Sequence, residues 1–179
     1  KVILDDWWRI AEGSYITALE FENIEFSHTS NNKYFMNADK SFTIESVSFV
    51  NCDFIGLTRG FWRHQQATSK HIMSFAVEGC RFDKCGWQTG SYGLMDLRSF
   101  NDPTAYDQVD KAVFRNCTFS RDNDGTTGFG WGNLFNAPYI DKPIQLEFKN
   151  ITVYNYCLNK RLINIGSAVG SELTDRKSV

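Results

Sequence analysis

Histidine, proline and long apolar runs are all in short supply in this chain. No apolar stretch approaches the roughly 18–20 residues needed to cross a bilayer as a helix. Charge of one sign is also lacking. The formal net charge is −2, which excludes both a basic nucleic-acid footprint and a polyanionic tail. The three histidines, His28, His64 and His71, are scattered, a weak basis for a catalytic imidazole. No CxxC pair, GxGxxG, phosphate loop, HExxH or GxSxG is present. No signal-peptide pattern opens the chain, yet Lys1 is not a native start, so any targeting segment lies upstream. The three prolines and 13 glycines are ordinary for a folded domain. At 179 residues the chain fits one domain, residues 1–179.

What is present is an eight-residue phrase repeated five times: 19–26 (LEFENIEF), 47–54 (VSFVNCDF), 75–82 (FAVEGCRF), 112–119 (AVFRNCTF) and 146–153 (LEFKNITV). Its fifth position reads Asn23, Asn51, Gly79, Asn116 and Asn150, in steps of 28, 28, 37 and 34 residues. A period of that size marks stacked units that bury their apolar faces against neighbours. Within each phrase the apolar residues alternate, break at the Asn or Gly, and alternate again. That pattern predicts two short strands joined by a one-residue corner, which Asn and Gly suit because they tolerate the left-handed backbone conformation. Three interior columns follow: Phe21, Phe49, Val77, Phe114, Phe148; then Ile24, Cys52, Cys80, Cys117, Ile151; then Phe26, Phe54, Phe82, Phe119, Val153. The expected fold is all-β: a single-stranded parallel β-helix of about five to six coils, three strands per coil, with an asparagine-marked short corner.

The third strand of each coil is expected at Trp8-Arg9-Ile10, Met36-Asn37-Ala38, Trp62-Arg63-His64, Met95-Asp96-Leu97, Phe135-Asn136-Ala137 and Ile163-Asn164-Ile165. Flanking positions point inward, His64 being their one polar member. The central positions, Arg9, Asn37, Arg63, Asp96, Asn136 and Asn164, point outward, and all are polar. Asn and Asp bond hydroxyls, and Arg clamps carboxylates. Arg98 lies two residues beyond Asp96 on the same face. Outward residues of any water-facing sheet are polar, so a solvated ladder is the competing explanation. The other outward columns, such as Glu20, Ser48, Ala76, Val113 and Glu147, share no chemistry.

Loops concentrate near the polar strand. Segments 83–93 and 120–132 lead into it and 99–110 leaves it. They carry Trp87, Tyr92, Phe129 and Trp131, whose rings suit the apolar face of a sugar, or else fold back over the stack. Asp122-Asn-Asp-Gly resembles the opening of a Ca²⁺ loop, with Asp122 and Asp124 as ligands, but the distal Glu is missing and turn chemistry explains the string equally well. Of the five cysteines, Cys52, Cys80 and Cys117 share an interior column and read as small apolar fillers. Cys85 and Cys157 lie just past the third strand and are not spaced as metal ligands. Asn116-Cys-Thr and Asn150-Ile-Thr match the glycosylation pattern, yet both Asn are corner residues.

The three-strand coil with its asparagine-marked corner resembles the pectin-lyase-like right-handed β-helix superfamily. Asn23, Asn51, Asn116 and Asn150 look like that family's asparagine ladder, interrupted at Gly79. Phrases such as FENIEF and FRNCTF resemble β-helix domains of secreted bacterial polysaccharide-utilisation proteins. The resemblance covers nearly the whole chain and rests on architecture. It implies a substrate groove along the outward face of the polar strand and a secreted or cell-surface location. For the family's lyases it implies acidic residues holding Ca²⁺ and an Arg base, here Arg63 or Arg98 with Asp96 as the one acid. The family's hydrolases carry clustered aspartates and Gly-His-Gly, which this sequence lacks.

Three functions follow as expectations. The leading one is binding of an acidic polysaccharide by Arg9, Asn37, Arg63, Asp96, Arg98, Asn136, Trp87, Tyr92 and Trp131, with no nucleic-acid partner and no transmembrane segment. The second is a polysaccharide lyase with Arg63 or Arg98 as base and Ca²⁺ near Asp96. The third is a structural or adhesin repeat without a single ligand. No capping element is recognisable at either end, so the chain is also expected to be a piece of a longer polypeptide with further domains.

Overall fold

The computed structural model describes residues 1–29, 34–65, 68–86, 93–97, 107–120, 133–137, 143–154, 162–165 and 172–176. Among these residues there is no helix, and 17 strands, β1–β17 in chain order, assemble into three sheets whose neighbouring strands run parallel. One sheet holds short strands: β1 (Val2–Leu4), β3 (Glu25–His28), β6 (Asp53–Ile55), β9 (Arg81–Asp83), β12 (Thr118–Ser120) and β15 (Thr152–Tyr154). A second holds β4 (Tyr34–Ala38), β7 (Gly60–His64), β10 (Gly93–Leu97), β13 (Asn133–Ala137) and β16 (Ile163–Ile165). The third holds the long strands β2 (Ser14–Glu22), β5 (Phe42–Val50), β8 (Lys70–Glu78) and β11 (Asp107–Arg115), then β14 (Gln145–Lys149) and β17 (Glu172–Arg176). The chain visits the three sheets in rotation, and each visit adds a strand beside the one before. This three-strand repetition is consistent with a parallel β-helix.

The repeat phrase sets the register. Phe21 pairs with Phe49, Phe49 with Val77, Val77 with Phe114 and Phe114 with Phe148. Phe26, Phe54, Phe82, Phe119 and Val153 are likewise in line. Their rings stack face to face, with centroids 5.3 Å apart from Phe26 to Phe54, 4.8 Å to Phe82 and 4.9 Å to Phe119. Burying each such side chain stabilises the fold by about 1.5–3 kcal/mol. A period-two strand presents the same face at the same height in every unit, so like meets like along the column.

The corners are left-handed as the sequence requires. Asn23, Asn51, Asn116 and Asn150 have φ between 51° and 56°, and Gly79 has φ 64°. Asn150 Nδ2 donates to Asn116 Oδ1 at 2.9 Å, one step of an asparagine ladder. Gly79 interrupts that ladder, and the Asn51 amide oxygen occupies the space that a Cβ would take there. A second left-handed corner follows each of two phrases, at Gly56 (φ 70°) and Lys84 (φ 56°), and turns Leu57 and Cys85 into the core. Cys85, which follows the third copy of the phrase, is interior with a free thiol.

The long strands carry a further device. In β5 the buried positions are Phe42 and Ile44, then Val47 and Phe49. Alternation slips by one at Glu45-Ser46. The same slip falls at Met73-Ser74 in β8 and Asp110-Lys111 in β11. Two successive side chains therefore face away from the core in each unit, aligned across the sheet.

Cys52, Cys80 and Cys117 fill the interior as free thiols. Their Sγ atoms donate to the carbonyls of Phe21, Phe49 and Val77 in the preceding unit, each at 3.5 Å. Burial pushes the thiols up: Cys117 to about 11, Cys85 to about 12, and Cys52 and Cys80 also upward. They pack as small apolar groups and are poor nucleophiles.

Candidate functional site

The five-residue strands bring the central polar residues of the repeat into one ladder. Asn37 pairs with Arg63, Arg63 with Asp96, Asp96 with Asn136 and Asn136 with Asn164. Their flanking neighbours Met36, Ala38, Trp62, Met95, Leu97, Phe135 and Ala137 belong to the hydrophobic core, so the alternation turns the ladder to the opposite face. His64 also points inward, where it accepts from Trp62 Nε1 at 3.0 Å and meets the Phe42 ring edge-on at 5.7 Å.

Hydrogen bonds run along the ladder. Asn164 Nδ2 donates to Asn136 Oδ1 at 2.9 Å, and Asn136 Nδ2 donates to Asp96 Oδ1 at 2.9 Å. Asn133 Nδ2 adds a third donation, to Asn136 Oδ1 at 3.0 Å. Arg63 Nε lies 3.9 Å from Asp96 Oδ2, close enough for charge attraction and too far for a hydrogen bond. The guanidinium sits over the Tyr34 ring, 5.4 Å from its centroid. Asn37 Nδ2 donates to Gln65 Oε1 at 2.9 Å.

The ladder differs from the expected open groove floor in one respect. Asp96 is 0% exposed, Asn136 3% and Asn37 5%. Only Arg63 among these retains some access, its side chain being 13% exposed. Two buried atoms in neighbouring rungs make no hydrogen bond: Arg63 Nε, a donor, and Asn37 Oδ1, an acceptor. A hydroxyl accepts from the first and donates to the second, so the two deficits are complementary.

Other expected site residues fall elsewhere. The parallel bridge from Trp8 to Met36 carries Arg9 to the first unit, where it is exposed and lies 5.4 Å from the Trp7 ring centroid. Arg98, Trp87, Tyr92, Phe129, Trp131, Cys157, Asp122 and Asp124 lie outside the described residues. Among the described residues no three His, Cys, Asp or Glu cluster as a metal site. Asp96 is the one carboxylate of the described ladder. Two carboxyl groups roughly 6.5–9.5 Å apart, as inverting glycoside hydrolysis needs, are not offered there. The Arg63 guanidinium offers a planar fork of donors, a geometry suited to a carboxylate.

The long-strand sheet holds polar partners that the sequence reading missed. Tyr15 donates its phenol to Glu45 Oε1, and that bond raises the phenol above its ordinary range. His71 Nε2 lies 2.9 Å from Asp110 Oδ2. Tyr15, Thr43, His71 and Gln108 are register partners, spaced 28, 28 and 37 residues apart. Those are the first three steps of the corner residues, so the signal was present four residues before each phrase.

No protein-family model matches this chain, and neither a curated protein nor a solved structure does.

Proposed function

We propose that the three sheets are the faces of one right-handed parallel β-helix that binds an acidic polysaccharide along the outward face of its five-residue strands. In this proposal the domain is secreted or displayed at the cell surface, where such polymers occur. One observation carries the reading: Arg63 Nε and Asn37 Oδ1 stand in adjacent rungs with complementary unmet hydrogen-bonding capacity. A uronate unit supplies a carboxylate for the arginine and a hydroxyl for the pair. Asn136 and Asn164 continue the row at the spacing of the strands, as a linear polymer requires. Closely spaced amides and a guanidinium beside an aromatic ring also match the polar-plus-ring chemistry of sugar recognition.

A second reading draws support from burial. Asp96 at 0% exposure, bonded to Asn136 on one side and attracted to Arg63 on the other, also suits a structural seam that aligns the units. Isothermal titration with polygalacturonate, alginate and a sulfated glycosaminoglycan separates the two. Binding that weakens about tenfold in Arg63→Ala supports the polysaccharide reading. No heat with any polymer, together with a lowered thermal midpoint in Arg63→Ala, leaves the seam alone standing.

A further inference from the structure

A second site lies on a different sheet. β2, β5 and β8 start side by side, and residues at or beside those starts border a cleft of about 230 Å³. Ligand pockets for drug-sized molecules run to about 300–1,000 Å³, so this one is scaled to a single ring. Its polar lining includes the half-buried hydroxyls of Ser41, Thr43 and Ser69. Phe42 forms part of its floor and is 4% exposed. Tyr15, 63% exposed, stands at its side.

The groups around the cleft are held in place. Tyr15 projects an uncovered ring, yet its phenol is tied to Glu45 in the next strand, so the ring is a fixed platform rather than a loose side chain. His71 borders the cleft and is anchored on Asp110 at 2.9 Å. Asp110 is anchored in turn by Gln108 Nε2, at 2.9 Å to its other oxygen, and Gln108 also bonds the Pro143 carbonyl at 3.1 Å. Plain alternation explains the arrangement. It places Glu45 on the face of Thr43 and Asp110 on the face of Gln108, the register partners of Tyr15 and His71, so each carboxylate reaches diagonally to a ring on the adjacent strand.

Charge narrows the ligand class. Among the described residues that line the cleft none is Lys or Arg. Glu12 accepts from the Ser41 amide at 3.1 Å at its edge, and Glu45 and Asp110 stand behind Tyr15 and His71. The carboxylates of Glu12, Glu45 and Asp110 are thus bonded to Ser41, Tyr15 and His71 of the lining, whereas the neighbouring Lys70 is fully buried with its Nζ on the Thr68 carbonyl, a balance that disfavours an anion. A neutral ring with several hydroxyls meets an aromatic face, four serine and threonine hydroxyls and an imidazole. We infer that the cleft bounded by Tyr15, Ser41, Thr43, Ser69 and His71 is a binding site for a single neutral sugar unit, separate from the polar ladder.

Saturation-transfer NMR with methyl glycosides of glucose, galactose and mannose, and with methyl glucuronide, tests the inference. The expected result is transfer to at least one neutral glycoside, with a millimolar dissociation constant. Tyr15→Ala removes the platform at an exposed position and should weaken binding about tenfold or more. Tyr15→Phe keeps the ring and frees it from Glu45, and should weaken binding about two- to threefold. His71→Ala is the independent check should Tyr15→Ala lose its native circular dichroism. No transfer to any neutral glycoside overturns the inference. So does transfer undiminished in both Tyr15→Ala and His71→Ala, or tighter binding of the glucuronide than of every neutral ring. The glycosides that decide this inference are single neutral rings, whereas the ladder is to be tested with polyanions, so either reading can fail while the other stands.

Discussion

Phe49 sits where the interior columns converge, and truncating it tests the register directly. Its ring stacks on Phe21 at 4.8 Å and meets Phe61 at 5.0 Å, Phe35 at 5.5 Å and Phe54 at 5.5 Å. The side chain is fully buried. Phe→Ala in such a site loses the transfer free energy of the ring and leaves a cavity, together about 3–5 kcal/mol. Neighbours in a parallel sheet are held at fixed spacing and cannot close in on the hole, which places Phe49→Ala at about 4–5 kcal/mol. In a chain of this size each kcal/mol moves Tm by about 2–4 °C, so the midpoint should fall by roughly 8–20 °C. Phe114 provides the contrast, with Phe148 at 5.3 Å and Phe119 at 6.3 Å among its described ring partners. Phe114→Ala should cost about 3 kcal/mol. Thermal unfolding followed in the near ultraviolet, where packed rings dominate, measures both. A Phe49→Ala midpoint within about 2 °C of the parent, against the shift expected from its size, refutes the register. A larger loss in Phe114→Ala than in Phe49→Ala refutes the assignment of the aromatic centre.

Two further expectations concern the corners and the thiols. Gly79→Ala places a Cβ at φ 64° against the Asn51 amide and should cost about 1–2 kcal/mol in urea unfolding, with Gly79→Asn costing less because Asn tolerates that conformation; equal losses would show that backbone handedness is not the reason for Gly. Burial raises Cys85 to about 12 and Cys117 to about 11 in the fold, so their neutral forms favour folding below the unfolded thiol value of about 8.5. Above it the unfolded state sheds protons first, and stability falls by about 1.4 kcal/mol per pH unit for each thiol until its folded value is reached. Urea midpoints measured from about pH 8 to about pH 10.5 should therefore decline, and less steeply in Cys85→Ala; parallel slopes would count against a buried, neutral Cys85.

The corner asparagines and the columns on either side were legible because their cause is local. A period-two strand with one buried face writes its apolar residues into the sequence, and a left-handed corner writes Asn or Gly. Asn37, Arg63, Asp96, Asn136 and Asn164 were legible for the same reason, each flanked by residues in or against the core, buried His64 being the one polar neighbour. Their burial was not, since it depends on what lies over the strand. Alternation was harder to follow upstream of Leu19 and its counterparts because it slips once in each long strand, at Glu45-Ser46 in β5 for example. Tyr15, Thr43 and His71 lie beyond that slip, so the cleft escaped notice although the spacing repeats. Lys84 was illegible for a different reason: lysine carries no preference for φ 56°, a left-handed conformation that it shares with Gly56 one unit earlier. Lys70, fully buried with Nζ donating to the Thr68 carbonyl at 2.9 Å, carries a charge type that composition assigns to the surface.

The 28-residue step from Asn23 to Asn51 and again to Gly79 gives the chain an unusual editing property. Every interior position in one unit has its counterpart at the same height in the next, as Leu19 does in Val47 and Val47 in Phe75. Cutting out residues 24–51 would join Asn23 to Cys52 at equivalent points of the repeat and seat the following unit on the first. The length of the molecule is thus a variable that whole-unit duplication or loss can change without redesigning the core. Insertions of any other size must be absorbed between strands. The step from Gly79 to Asn116, nine residues longer than the one before it, has done so: β8 and β11 remain in register across it.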